Sequence, residues 1–163
     1  MSYDIRLNVF ARDPLTEQQR GDALAVLAKY GARAFERSDG FSVRWDDGTG
    51  FAMYCRSLGE TSLSFGALLC PLGDLSQRFC DFTYEIAFAT GCAICPDVIP
   101  PLILEVCPGG LTKAVRESAR VVRISSGFAV RNALAESYGV WRNRLVQAAR
   151  DLNDAVRDLE DGV

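Results

Sequence analysis

Cysteine and carboxylate are the residue types in this chain that could make a chemical site. Cys92 and Cys95 form a C-x-x-C pair, and Cys80 and Cys107 each lie twelve residues outside it. Tetrahedral zinc takes four thiolate or imidazole ligands, commonly as two close pairs. Here a single close pair stands alone, and the chain has no histidine. A redox pair of the thioredoxin type opens a helix, where the dipole lowers a thiol pKa. Cys92-Ala93-Ile94-Cys95-Pro96 instead follows a helical pattern and enters an apolar run. In a strand, positions i and i+3 point to opposite faces, so the two thiols are badly placed to share a metal or a bond. They read as structural cysteines, small hydrophobes in a reducing compartment. No metal and no cofactor is expected.

Carboxylates are the second candidate. Asp81 and Glu85 lie four apart on one face of a helical pattern, together with Asp74 and Arg78. Paired carboxylates do acid–base or glycosidic chemistry when burial or neighbours move their pKa values. This stripe carries its own arginine and reads as a solvated face. Asp46 and Asp47 open the turn Asp46-Asp47-Gly48-Thr49-Gly50, which lacks the D-x-D-x-D-G calcium pattern and is explained by turn chemistry. A basic region follows. Between Leu111 and Arg150 eight basic residues stand against Glu117 and Glu136. Lys113, Arg116, Arg120 and Arg123 share the face of one helical pattern, with no aromatic residues interleaved for base stacking.

The sequence holds no phosphate-cradling glycine loop, no G-x-S-x-G and no H-E-x-x-H. Without histidine it has no side chain whose ordinary pKa lies near neutrality, and no Ser-His or Cys-His nucleophile pair.

The elements that must position these residues follow from periodicity. Tyr3, Ile5, Leu7 and Val9 alternate as a half-buried strand. Thr16 and Gln19 form a capping box before a helix carrying Ala23, Leu24, Leu27 and Ala28, with Gly31 as its stop. Ala32–Glu36, Phe41–Trp45, Phe51–Arg56 and a run ending near Cys70-Pro71 read as a meander of strands, the second and third joined as a hairpin. Leu75, Phe79, Phe82 and Ile86 give the helix from Asp74 to Thr90 its apolar face. Leu102–Val106 is a further strand after the prolines at 100 and 101. Leu111–Arg123 reads as helical, with Ser125-Ser126-Gly127 as a break. Val130, Leu134, Tyr138, Trp141, Leu145, Ala148, Leu152, Ala155 and Leu159 follow steps of three and four along one long helix.

The 163 residues fit a single α+β domain over 1–163: a mainly antiparallel sheet with helices packed on one face and a long C-terminal helix. A chain of this length buries enough surface to need no disulfide or metal staple. The net charge of −3 argues against nucleic-acid binding by the molecule as a whole. No apolar run is long enough to span a membrane, and the N-terminus lacks the pattern of a secretory signal, so a cytoplasmic protein is expected. By elimination the chain reads as a non-enzymatic protein-binding factor. A bacterial immunity-type inhibitor that neutralises a cognate toxin is one such factor. The acidic set Asp46, Asp47, Asp74, Asp81 and Glu85 is the expected partner-binding face, suited to a basic target. A cysteine-based metal-binding or redox enzyme module is the alternative.

Overall fold

The computed structural model describes residues 2–8, 15–36, 40–46, 50–54, 64–71 and 75–161. Within these, the backbone alone is described for 2–8, 54, 64–71, 140–142, 144–146 and 151–161. The chain is α+β, with a mainly antiparallel sheet and a long C-terminal helix. Strands β1 (Ser2–Asn8), β2 (Arg33–Ala34), β3 (Gly40–Arg44), β4 (Gly50–Tyr54), β5 (Ser64–Pro71), β6 (Ala93–Pro96), β7 (Leu102–Glu105) and β8 (Arg120–Arg123) form one sheet. Their order is β2-β3-β4-β5-β1-β6-β7-β8. The first strand is thus central, antiparallel to both β5 and β6, with Ile5 opposite Leu68 on one side and Pro96 on the other.

Helices α1 (Glu17–Lys29), α2 (Gln77–Thr90) and α4 (Gly127–Asp161) share one face of the sheet, with α2 between the other two. Each start is fixed locally. Thr16 caps α1 by accepting from the Gln19 N–H, while the Gln19 side chain accepts from the Thr16 N–H. Ser76 caps α2 by accepting from the Phe79 N–H. Gly91 ends α2 at φ 69°, a left-handed turn that glycine adopts without a Cβ penalty.

The apolar stripe predicted for α2 is the centre of the core. Phe79, Phe82 and Ile86 are almost fully buried. Phe82 packs edge-on against Tyr30, the C-cap of α1, at 5.2 Å, and at a tilt of 31° against Phe51 of β4 at 4.2 Å. Each such side chain contributes about 1.5–3 kcal/mol by leaving water. The buried hydroxyls of Thr83 and Thr90 donate back to the carbonyls of Phe79 and Ile86, so neither is left unpaired inside the helix.

One expectation about connections gives way to longer-range pairing. Leu111–Arg123 is not one helix: α3 (Lys113–Ser118) is short, and Arg120–Arg123 is strand β8, paired parallel to β7. Among the described strands the sheet therefore has one parallel pair, bridged by α3 on the face opposite the long helices. Ala93, Ile103 and Leu111 form a second small core there with Cys95, Val115, Ala119 and Val121. Ile94, Leu102, Leu104 and Val122 alternate with them and face α2. The long helix begins at Gly127, with Ser126 accepting from the Ala129 N–H. Val130, Leu134 and Tyr138 of its stripe are buried, whereas the side chains of Trp141, Leu145, Leu152, Ala155 and Leu159 lie outside the described residues.

Candidate partner-binding face

Asp81 and Glu85 sit on the outward side of α2, but at two different seams. Glu85 faces α1: Lys29 Nζ donates to both its carboxylate oxygens at 2.7 Å, and the Tyr30 hydroxyl donates to Oε1 at 3.1 Å. Burial, and then that hydrogen bond, push the Tyr30 phenol above its ordinary pKa. Asp81 faces α4 and accepts from Gln77 Nε2 at 2.7 Å. The first residue of α4, Gly127, lies so close that a Cβ there would fall 2.0 Å from Asp81 Oδ1 and 2.5 Å from its Cα. A carboxylate beside a helix N-terminus is favoured by the helix dipole. Asp46 is exposed just past β3, next to Trp45, whose ring lies 4.9 Å under the Arg78 guanidinium of α2. Asp47 and Asp74 lie outside the described residues.

Beside Asp81 the outer surface of α2 is aromatic. Tyr84 and Phe88 follow Asp81 by three and seven residues, so they share its side of the helix. Their rings stack at 6.1 Å and 25°. Phe88 is 60% exposed, and Phe128, next to the glycine that touches Asp81, is 61% exposed. Leu24 on α1 and Ile99 in the loop before β7 are also exposed. Sequence reasoning missed the two phenylalanines. The available signal was phase: Phe88 occupies the polar side of α2, where an aromatic residue is not needed for the core.

The basic residues are divided among separate partners. Lys113 pairs with Glu117 at 3.7 Å, and Arg120 with Glu136 at 3.3 Å. Arg116 Nη2 donates to Glu105 Oε1 at 2.5 Å, while Arg123 Nε lies 4.0 Å from Glu105 Oε2. Glu105 ends β7 beside Arg123 in the parallel register and points into the α3 face. Its side chain is 3% exposed. The Gly109 N–H also donates to Glu105 Oε1, at 3.3 Å. The hydrogen bond from Arg116 holds the carboxyl below its ordinary pKa, against the opposing effect of burial. This staple joins β7, α3, β8 and the Pro108-Gly109-Gly110 turn. Its signal was a lone carboxylate inside the apolar run Leu102–Val106, since a buried charge needs a partner.

The cysteines separate as strand geometry predicts. Cys92 is buried in the core under α2, whereas Cys95 belongs to the opposite face with α3. Cys92 and Cys107 line one small recess with Gly91, Glu105 and Leu111. Burial pushes the Cys92 thiol up to about 12 and also raises that of Cys107, so both stay protonated near neutrality. Among the described residues no group of three or more Cys, Asp or Glu side chains is placed to hold a metal ion. No protein-family model, no curated protein and no solved structure matches this chain.

Proposed function

We propose that this chain is a non-enzymatic protein-binding factor of the cytoplasm, of the kind exemplified by a bacterial immunity protein that neutralises a cognate toxin. The observation that carries the reading is the exposed aromatic surface on α2 and α4, with Tyr84 and Phe88 stacked and Phe128 exposed beside Asp81. Aromatic anchors of this kind dominate binding energy at protein interfaces, and a charged rim selects the partner. Asp81 and Glu85 supply that rim here, with Asp46, Asp47 and Asp74 as further acidic positions. A basic protein surface is the matching target, and a net charge of −3 speeds encounter with it. No described helix is long and apolar enough to cross a membrane, which fits a partner met in solution.

Affinity capture from cells of the source organism tests the reading. The wild-type chain should retain one protein partner in stoichiometric amount, and the Phe88→Asp/Phe128→Asp double variant should lose it while keeping its circular dichroism. Both rings are exposed, so these changes leave the core intact. Capture of no stoichiometric protein by the wild type, or equal capture by the variant, would overturn the proposal.

A further inference from the structure

Helix α4 outruns the domain it belongs to. At about 1.5 Å per residue its 35 residues extend about 52 Å, against about 21 Å for the 14 residues of α2. Arg131 Nε already donates to the Leu75 carbonyl, just ahead of the start of α2, so the later turns run past that helix. Gln147, Ala148, Ala149 and Arg150 are all exposed. Ala148, Ala149 and Arg150 alone step through roughly 200° of the helix circumference, and all three are exposed.

The apolar positions nevertheless continue. Tyr138, Leu145, Leu152 and Leu159 recur every seven residues, and so do Leu134, Trp141, Ala148 and Ala155. These are the two seam positions of a heptad repeat, the first set at a and the second at d. Leu134 and Tyr138 are consumed by the core of the domain. Beyond Tyr138 the described member of the seam, Ala148, is exposed.

We propose that residues 141–159 of α4 pair with the same segment of a second copy as an antiparallel two-stranded coiled coil. The pairing is centred on residue 150. Layer volumes select this arrangement. In a parallel pair each d position meets itself, giving a Trp141 layer next to layers of alanine alone, which vary too much in width to pack at protein density. In the antiparallel pair each a position meets a d position. Leu152 then faces Ala148 of the second copy, Leu145 faces Ala155, and Leu159 faces Trp141. Every layer holds one leucine, and the contact is self-complementary about a two-fold axis.

Charge selects the same arrangement. The flanking g positions are Arg144, Asp151 and Asp158. Antiparallel pairing brings Arg144 of each copy to Asp158 of the other, making two attractive pairs. It also brings Asp151 to its own equivalent, a single repulsive pair. Parallel pairing would set Arg144 against Ala149 and Asp151 against Val156, with no charge match at all. This dimer is independent of the aromatic face on α2 and leaves that face free.

Sedimentation equilibrium on the full chain is the test. The wild type should be a dimer, and Leu152→Asp should be monomeric with the helical signal of the domain retained. Arg144→Asp and Asp158→Arg should each weaken dimerisation by about tenfold, and the two together should restore it. Asp151→Asn should tighten the dimer by relieving the central repulsion. A wild type that stays monomeric at the highest soluble concentration would overturn the proposal. So would a Leu152→Asp dimer of undiminished affinity. The charge swap keeps the test decisive should Leu152→Asp fail to fold: a double variant no tighter than the single ones refutes the antiparallel register.

Discussion

Replacing Glu105 by glutamine keeps the shape of the side chain and removes its charge. In the wild type that carboxylate accepts from Arg116 at 2.5 Å and from the Gly109 N–H at 3.3 Å, with Arg123 at 4.0 Å. A hydrogen bond to a charged group contributes about 1.5–3 kcal/mol, and breaking a fully buried ion pair costs about 3–5 kcal/mol. Arg116 is 41% exposed and Arg123 is 68% exposed, so both regain water when the charge is lost. The expected cost is therefore about 2 kcal/mol, which for a chain of this size lowers the melting temperature by about 4–8 °C. The pH dependence has a definite sign. The folded-state pKa of Glu105 is depressed below its ordinary 4.5, so its stabilisation is complete at neutral pH. It is lost as pH falls from 4.5 through the lower folded value. Thermal melts of wild type and Glu105→Gln should thus differ by a constant amount near neutrality and converge on acidification. Equal melting at pH 7, or a gap that does not shrink in acid, would refute the staple.

Two further substitutions probe the seams around α2. Gly127→Ala should destabilise by about 1–3 kcal/mol, because the new Cβ collides with the Asp81 backbone. At an open helical position the same change would stabilise by up to about 1 kcal/mol, so the sign measured by urea denaturation decides. Cys92 should resist alkylation in the native protein at mildly alkaline pH, since burial keeps its thiol protonated, and should react only after unfolding. Mass-spectrometric mapping that finds Cys92 labelled as fast as an exposed thiol would contradict this.

What was legible in the sequence was local. The capping box of Thr16 and Gln19, the Phe79–Phe82–Ile86 stripe and the left-handed stop at Gly91 are all set within a few residues, and each predicts its element. The opposite placement of Cys92 and Cys95 follows from strand alternation alone. What escaped was set by distant pairing. Lys113, Arg116, Arg120 and Arg123 carry helical spacing, yet Val121 and Val122 between the arginines find β7 beside them, and the parallel ladder wins. The central place of β1 depends on β5 and β6, far along the chain. Asp81 and Glu85 form one stripe in sequence, and the packing of α1 and α4 divides them between two seams. The exposed rings escaped because Phe88 and Phe128 belong to different helices, whose approach at Asp81 and Gly127 is set by tertiary packing.

Titration of the captured partner against wild-type, Phe88→Ala and Phe128→Ala chains measures the central claim most directly. If the aromatic surface is the anchor of a protein interface, at least one truncation should cost about 2 kcal/mol or more, roughly a thirtyfold loss of affinity, with the melting temperature unchanged. Affinities equal to wild type for both variants would contradict the account and move the binding site elsewhere on the molecule.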